Sequence, residues 1–346
     1  MIQIVPLESE YYDAYYALVQ STPWGNPMLP IRYNSSLWGM VLLDDGAVVG
    51  GWVGTLRGDK RLVRLLAKSV YFDSYPVFAT TEVENGYADK LLDAVRDYAH
   101  ASKVIMLNLT HWVRISAPMA AFSTQNALPD KNATFLIDLH VPIEQIWKQL
   151  DSSLRNKLRK AEKKGVQIRI CHGEESLSYL SDFQQLRQLT QTRAIHNNAA
   201  ASMLLKSDDY FHELMLRPTA TLVVAEFEDK VVSASLIMQG GKTVYFYMSG
   251  SNNDINRQTG CSAYLKWKTI EYFHDYEGVE YVDMGGVPLT PLETDPAYGV
   301  YQFKKSFGGV YYEYPSGAIA ISPRRYRLLQ WALSQRKLLR LFSSKL

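Results

Sequence analysis

Leu222-Val-Val-Ala-Glu-Phe-Glu-Asp-Lys-Val-Val-Ser-Ala-Ser-Leu-Ile-Met238 holds two apolar runs separated by the polar pair Glu228-Asp229. Two short apolar runs around a polar turn predict a β-hairpin with buried strands. A helical pattern from Ala263 to Tyr276 and a strand-like run from Val279 to Met284 follow it. This part of the chain therefore predicts a unit built of hairpin, helix and strand, in that order.

An earlier segment has the same order of elements. The run Met40 to Leu43 meets the turn Asp44-Asp-Gly46 and resumes as Ala47 to Val53. A helical pattern from Tyr87 to Ser102 and a strand-like run from Val104 to Leu109 come next. The chain is therefore expected to contain two copies of one α/β (α+β) unit, too few for a solenoid.

The length of the chain also favours two domains. At 346 residues it exceeds what one hydrophobic core usually supports. The copies suggest a first domain over residues 1–145, with the carboxyl-terminal segment 317–346 packing back on it, and a second domain over residues 146–316. We expect the active site on the second domain, in the cleft between the copies.

Composition and the chain start argue for a protein of the cytoplasm. Hydrophobic residues make up 47% of the chain and charged residues 21%, which is ordinary for a globular protein. No secretory signal pattern begins the sequence, and no apolar run reaches the length of about 18 residues that a membrane span needs. The two cysteines, Cys171 and Cys261, lie far apart, which favours a reducing compartment.

Two strongly basic segments would attract phosphates or other anions. Six basic residues lie between 155 and 164 against the single acid Glu162, and seven lie between 323 and 346 with no acid. The first segment is either a phosphate-binding helix face or a solvated one. The second carries Leu328 and Trp331 on an apolar stripe, which would lie either on an anionic membrane surface or against the first domain.

Most familiar catalytic motifs are missing from the sequence. It has no Gly-x-Ser-x-Gly elbow, no Gly-x-x-x-x-Gly-Lys-Ser/Thr loop and no paired-His helix motif, and its seven histidines are scattered. We therefore expect neither a hydrolase nor a metal site.

Arg257-Gln-Thr-Gly-Cys-Ser262 is the one short motif with a binding chemistry. Small residues directly before a helix allow backbone N–H groups to approach a pyrophosphate, as in N-acetyltransferases that bind acyl-CoA. Arg257, Gly260 and Ser262 are thus candidate donor-binding residues. The alternative is a polar loop that only caps the helix.

Three charged residues near the end of the second copy are candidates for catalysis. Asp283 ends a strand beside Gly285-Gly286 and would serve either as a base or as an acceptor for loop N–H groups. Lys304 and Lys305 are interpreted as strand residues, so only one would face a site and stabilise an oxyanion or phosphate there. The alternative for both lysines is a solvated strand.

Tyr245 and Tyr247 are two positions apart on a predicted strand. They would therefore share one face and line a groove, unless they are ordinary half-buried sheet tyrosines.

Taken together, several segments resemble the FemABX family. They are Ser153 to Ile168, Thr190 to Arg193, Tyr245 to Ser251, Tyr281 to Gly286 and Tyr298 to Gly309. The resemblance is strong from Ile143 to Gly309, and it implies two tandem GNAT-like acyltransferase folds. Only Ala199 to Asp209 separates the relevant helices, so the chain resembles the compact type without the long helical arm.

The resemblance also implies roles for individual residues. Lys304 or Lys305 matches a position near the reacting carbonyl, and Asp283 would assist proton removal. Residues implied in substrate binding are Arg159, Lys160, Arg193, Tyr245, Tyr247 and Tyr298. The first copy has kept the fold without this chemistry, so it is expected to form a wall of the acceptor groove.

Members of this family transfer an amino acid from aminoacyl-tRNA to an amine of a cell-wall precursor, and relatives transfer acyl groups in surface-polymer pathways. The expected activity is therefore aminoacyl or acyl transfer to a lipid- or nucleotide-linked precursor, without metal or a tightly bound cofactor. The donor would be aminoacyl-tRNA or acyl-CoA, at the inner face of the membrane if the basic tail makes peripheral contact. An acyl-CoA-dependent N-acyltransferase and a non-enzymatic binder of anionic glycolipid or RNA are the alternatives.

Overall fold

The structure, a computed structural model, describes residues 1–58, 68–109, 130–196 and 208–331. The chain divides into two compact units, one of residues 1–131 and 314–346 and the other of residues 132–313. Each unit has a hydrophobic core of its own.

The described elements of the first unit follow the predicted order. In chain order they are β1 (Gln3–Pro6), α1 (Ser9–Ser21), β2 (Leu37–Asp44), β3 (Ala47–Arg57), β4 (Ser69–Phe72), β5 (Val77–Phe78), α2 (Thr81–Ala101) and β6 (Met106–Leu109). The strands pair in the order β1-β2-β3-β4-β6, and β4 and β6 are parallel.

Aromatic packing and a helix cap organise the first unit. Trp52 and Phe72 stack at 3.8 Å between ring centroids, and both are fully buried. The hydroxyl of Thr80 accepts the N–H of Val83, so α2 begins well before the predicted start at Tyr87. The cap satisfies a helix-end donor that would otherwise have no partner.

The second unit contains more described elements. They are β7 (Asp130–Asp138), α3 (Ile143–Gln149), α4 (Ser152–Lys163), β8 (Gln167–Cys171), α5 (Glu174–Leu177), α6 (Leu180–His196), α7 (Asp208–Met215), β9 (Ala220–Phe227), β10 (Lys230–Gly240), β11 (Thr243–Ser251), α8 (Asn253–Thr259), α9 (Cys261–His274), β12 (Tyr281–Asp283) and α10 (Tyr298–Lys305). The last strand, β13 (Val310–Ala320), begins in the second unit and ends in the first. Strands pair in the order β7-β12-β11-β10-β9-β8, with β11 and β12 parallel.

The two units repeat one pattern, as the sequence predicted. In each, an antiparallel meander leads into a helix, and the strand after the helix pairs in parallel with the last strand of the meander. Both predicted hairpins turn through two successive residues with positive φ, Asp45 (47°) and Gly46 (86°) in one and Glu228 (51°) and Asp229 (58°) in the other. Such turns match the right-handed twist of the flanking strands.

Strand pairing places the unit boundaries where the sequence did not. β7 follows β6 in the chain, yet it pairs with β12, with Ile137 opposite Val282. The last part of β13 pairs with β6, with Ala318 opposite Asn108. The chain therefore divides after residues 131 and 313, whereas the two copies in the sequence suggested boundaries after 145 and 316.

Two expectations for the final segments were wrong. Lys304 and Lys305 end a helix, α10, rather than lying on a strand, because aromatic residues at helical spacing hold it against the core, with Phe303 and Phe307 5.4 Å apart between ring centroids. The residues Pro315-Ser-Gly317 favour a turn between two paired strands, yet residues 310–320 form one continuous strand.

The basic tail is described only at its start. Residues 323–331 are helical, and the side chains of Leu328 (46%) and Trp331 (61%) are exposed. The remainder of the predicted apolar stripe, Ala332, Leu338, Leu339 and Phe342, lies outside the described residues.

Among the helices that the structure describes, none has both the length and the apolar character needed to span a bilayer.

Candidate active site

A gap opens in the second unit where β11 and β12 separate. The two strands pair only from Thr243 to Tyr245, opposite Tyr281 to Asp283, and β11 then continues to Ser251 paired with β10 alone. Directly after the paired part, the register of β10 against β11 shifts, so Leu236 faces Met248 while Ile237 faces Phe246. This bulge leaves Tyr247 as the extra residue of β11.

The bulge separates the two tyrosines that the sequence placed on one face. Tyr245 is fully buried in the core, whereas Tyr247 lines a cavity and its hydroxyl lies 2.5 Å from that of Tyr210. The expected strand alternation was therefore wrong here, because the extra residue reverses the direction of every side chain that follows it.

This cavity, which we call the central cavity, has a volume of about 320 Å³. Four residues that the sequence singled out line it: Arg193 from α6, Tyr247 from β11, Ser262 from α9 and Lys304 from α10. It lies beside the part of β11 that no longer pairs with β12, so the separation of these two strands creates the space.

Lys304 is held at the wall of the central cavity by a tight turn. Its ammonium donates to the carbonyl of Gly286 at 2.9 Å. Gly285 has φ of +81°, and a Cβ on it would lie 3.2 Å from Lys304 Nζ, so glycine leaves room for the ammonium. Burial lowers the pKa of Lys304 to about 8, against the opposing effect of Asp283. The neighbouring Lys305 is exposed.

Asp283 accepts a hydrogen bond from this turn and does not itself line the central cavity. It is 1% exposed, and its Oδ1 accepts the N–H of Gly285 at 2.7 Å and lies 2.6 Å from Thr134 Oγ1. Burial raises the pKa of Asp283 to about 6, while the Thr134 and Gly285 hydrogen bonds and the Lys304 charge lower it. Of the two roles considered for this carboxylate, the geometry matches the acceptor of loop N–H groups.

The acceptor to which the Thr134 hydroxyl donates depends on whether Asp283 is ionised. It lies within hydrogen-bonding distance of both Asp283 Oδ1 and the Gly285 carbonyl, at 2.6 and 3.0 Å. A hydroxyl has one proton, so it satisfies only one of these acceptors while Asp283 is ionised. A protonated Asp283 donates to Thr134 instead, and Thr134 then donates to Gly285.

Lys266 is a residue that the sequence interpretation missed. It lines the central cavity from α9, is only 7% exposed, and its ammonium lies 3.6 Å from the ring centroid of Phe246. Burial, and then the nearby Lys304 charge, hold the pKa of Lys266 well below its usual value. A lysine between Leu265 and Trp267 in an apolar helix was the available signal.

A second cavity of about 360 Å³ adjoins the first, and Phe303 lines both. Its cationic residues are Lys157 and Lys160 from α4 and Arg257 from α8, grouped around Gly260. We call it the basic cavity. It combines part of the basic segment with part of the predicted donor-binding motif.

The donor-binding motif is not the loop that the sequence predicted. Residues up to Thr259 are helical, and Gly260 alone joins α8 to α9 in the left-handed conformation, with φ of +78°. The first N–H groups of α9 already have partners: Cys261 donates to Thr259 Oγ1 at 3.2 Å and Ser262 to Asn256 Oδ1 at 3.0 Å. Helix capping, one of the two roles considered, is therefore present.

The other predicted residues lie elsewhere. Arg159 lines a third cavity, of about 380 Å³, over the edge-to-face pair Trp147 and Trp267. Tyr298 begins α10, where its hydroxyl accepts from Gln302 at 2.7 Å, and it lines neither the central nor the basic cavity. In the described part of the chain, no group of His, Cys, Asp or Glu residues could hold a metal ion.

Comparison with known proteins agrees with this architecture. Residues 148–305 match the sequence model of the acetyltransferase (GNAT) domain. No curated protein matches the sequence of this chain.

Several solved structures share the fold over almost the whole chain. The crystal structure of FemX is similar over 94% of this chain and 99% of its own, with a TM-score of 0.68 and 14% identity. The C-terminal domain of a protein assigned as a lysylphosphatidylglycerol synthetase from Agrobacterium fabrum is similar over 95% of this chain and 96% of its own, with a TM-score of 0.55 and 14% identity. A tandem GNAT protein from the clavulanic acid biosynthesis pathway is similar over 93% of this chain and 99% of its own, with a TM-score of 0.52 and 14% identity. The chain thus has a FemABX-like fold of two tandem GNAT domains.

Proposed function

We propose that the protein is an acyltransferase that moves an aminoacyl or acyl group onto an amine of a cell-wall or surface-polymer precursor. The match to the GNAT domain and the FemABX-like fold support the acyltransferase class. The observation that carries the proposal is the ammonium of Lys304, held by the Gly286 carbonyl at the wall of a cavity between separated strands.

Lys304 has the chemistry that acyl transfer needs at this position. An amine that attacks an activated carbonyl forms a C–N bond and a negatively charged oxygen, which a preorganised cation in a partly dry cavity stabilises. When the C=O bond forms again, the ester bond to tRNA or the thioester bond to CoA breaks, and the leaving hydroxyl or thiol takes up the proton that the amine loses. In our proposal Lys304 stabilises the negatively charged oxygen. Asp283 acts as a positioning residue, because it holds the Gly285 N–H and so the turn whose next carbonyl binds Lys304. Arg193 and Tyr247, which also line the central cavity, contact the acceptor in this proposal.

We propose aminoacyl-tRNA as the donor. The first N–H groups of α9 are occupied by Thr259 and Asn256, so a pyrophosphate would have to displace these caps to bind as acyl-CoA does in N-acetyltransferases. The basic cavity offers side-chain cations instead, from Lys157, Lys160 and Arg257. Such cations bind phosphodiester oxygens without backbone groups.

An acyl-CoA-dependent N-acyltransferase is the second candidate. Its support is the match of residues 148–305 to an acetyltransferase domain. The likeness to a lysylphosphatidylglycerol synthetase domain is compatible with a lipid-linked acceptor in either case.

Mass spectrometry separates the two donors. The purified protein is incubated with a model amine acceptor and either acetyl-CoA or charged tRNA, and the acceptor mass is measured. Transfer from charged tRNA alone supports the leading proposal, whereas transfer from acetyl-CoA alone replaces it with the second candidate. A protein that only binds anionic glycolipid or RNA would transfer neither group, and its salt-sensitive binding would survive loss of Lys304, Lys305 and Asp283.

A further inference from the structure

The central cavity is cationic and has no acid on its wall. Arg193, Lys266 and Lys304 line it, and none of the lining side chains among the described residues is an aspartate or a glutamate. Asp283, the nearest acid identified, is buried behind the turn that holds Lys304. A cavity with this charge attracts anions and repels ammonium groups.

Lys266 is the buried lysine of this cavity, and its ammonium lacks a hydrogen-bond acceptor among the described residues. Its side chain is 93% buried by solvent exposure, yet within the described ranges its ammonium forms no hydrogen bond. The face of Phe246, 3.6 Å away, compensates part of the charge. Burial of an ammonium without an acceptor is unfavourable, so a methionine would be the more stable choice if the position served packing alone.

Hydroxyl groups surround the same part of the cavity. Ser262 lies one helical turn before Lys266 on α9, and its Oγ is 3.1 Å from Ser233 Oγ. Ser235 Oγ and Ser249 Oγ are 2.7 Å apart on the neighbouring strands. We call these four residues the serine wall. Hydroxyls rotate to donate to an incoming oxygen, so the wall offers donors that complement a cation.

We propose that Lys266 and the serine wall form an oxyanion subsite that binds a carboxylate or phosphate group of the substrate. This inference rests on the proposed function in one respect, because it places the subsite beside the reacting carbonyl at Lys304. The bound oxygen supplies the acceptor that the Lys266 ammonium lacks. The subsite thereby selects substrates that carry a negative charge close to the reacting amine or carbonyl.

Anion binding by the full-length protein tests the inference without any transfer reaction. Thermal unfolding is followed while sodium phosphate or sodium acetate is added, with sodium chloride at the same ionic strength as the reference. The variants are Lys266→Met, which removes the charge, and Lys268→Met as the control on the same helix, where the lysine pairs with Glu271 at the surface.

We expect at least one of the two oxyanions to raise the unfolding temperature saturably above the chloride reference, in the wild type and in Lys268→Met. In Lys266→Met, the apparent affinity should fall about tenfold or more, the usual effect of losing a hydrogen bond to a charged group. A response to phosphate alone identifies a phosphorylated substrate group, and a response to acetate alone identifies a carboxylate. Lys266→Met should also unfold at a temperature no lower than the wild type in chloride.

Two results would overturn the inference: no oxyanion effect above chloride in the wild type, or an unchanged effect in Lys266→Met. If Lys266→Met does not fold, Ser235→Ala decides, since weaker oxyanion binding supports the subsite and unchanged binding refutes it. Transfer activity without an oxyanion effect removes the subsite and leaves the proposed function. Stabilisation by an oxyanion without transfer to any amine keeps the subsite and removes the proposed function.

Discussion

At the scale of single residues, the Asp283 to Gly286 turn and Lys304 form one functional unit. The carboxylate of Asp283 fixes the Gly285 N–H, and the following carbonyl, that of Gly286, fixes the ammonium. Both contacts are short, at 2.7 and 2.9 Å, so small changes in this turn should alter the position of a charge. Three predictions follow from these contacts.

Replacing Lys304 by methionine should lower kcat/KM about a hundredfold, the typical effect of losing one donor to a developing oxyanion. The control is Lys305→Met, because Lys305 is its exposed neighbour on the same helix. Steady-state kinetics with the donor that supports transfer provide the measurement. Equal losses in both variants would contradict the assignment of Lys304 to the reacting carbonyl.

Gly285→Ala should reduce activity, and Gly278→Ala should not. Both glycines have strongly positive φ, +81° and +84°, so each substitution should cost about 1 kcal/mol of stability. Only at Gly285 would the new Cβ approach Lys304 Nζ and the Phe246 carbonyl, each at 3.2 Å, whereas Gly278 faces open space. Denaturant unfolding and transfer rates are compared, and equal rates in the two variants would show that the Lys304 position is not critical.

The pH dependence of stability should reveal the buried charge of Asp283. Its pKa is raised from 3.8 to about 6, so in this window the folded protein keeps a proton that the unfolded chain releases. Raising the pH through the window should therefore destabilise the wild type relative to Asp283→Asn, by up to about 3 kcal/mol. The difference between the two unfolding free energies, measured from pH 4 to 7, tests this, and Asp275→Asn at an exposed position is the control.

At the scale of elements, the separation of β11 from β12 decides where the cavity lies. The pairing ends at Tyr245 and Asp283, and the bulge at Tyr247 directs the following residues towards the opening. Helix α6 approaches β11 closely there, since a Cβ on Gly250 would lie 2.6 Å from the backbone nitrogen of Arg187. Such close packing keeps the cavity wall rigid.

Helix α4 divides its basic residues between different surroundings, which gives a test of donor binding. All four lysines at positions 157, 160, 163 and 164 are exposed, but Lys157 and Lys160 line the basic cavity, whereas Lys163 and Lys164 lie at the helix end and do not line it. The double change Lys157→Ala with Lys160→Ala should weaken binding of charged tRNA and reduce its salt dependence. Lys163→Ala with Lys164→Ala removes the same charge and should have the smaller effect.

Fluorescence anisotropy with labelled tRNA at several salt concentrations measures both doubles. If they weaken binding equally, net charge alone determines the affinity, and the basic cavity is not a specific phosphate site.

At the scale of the whole molecule, the two units differ in how many chain segments form them. β7 follows β6 in the chain but pairs in the second unit, and the end of β13 returns to pair with β6 in the first. Residues 132–313 form one continuous segment that contains the whole β7 to β12 sheet order, whereas the first unit needs residues from both ends of the chain. β6 pairs with the part of β13 that begins at Gly317. The 132–313 fragment should therefore unfold cooperatively by itself.

Residues 1–131 alone lack this partner for β6 and should show no cooperative transition. Circular dichroism during thermal unfolding of the two fragments tests the difference. Cooperative unfolding of residues 1–131 would mean that the returning strand contributes little to the first unit.

The sequence by itself determined the repeated order of hairpin, helix and strand, because buried strands and amphipathic helices have different apolar periods that are visible locally. It also identified Lys304, Arg193, Tyr247 and Ser262, which the structure brings to one cavity. The domain boundaries that it suggested followed the two copies, because the local pattern of a copy does not report which strands pair.

Only the tertiary structure decided the separation of β11 and β12, the bulge at Tyr247, the exchange of β7 and β13, and the burial of Lys266. Each depends on pairing or packing between residues far apart in the chain. Local patterns register the polarity of a residue, whereas the burial of Lys266 depends on Phe246 and the other groups that the fold brings around its ammonium.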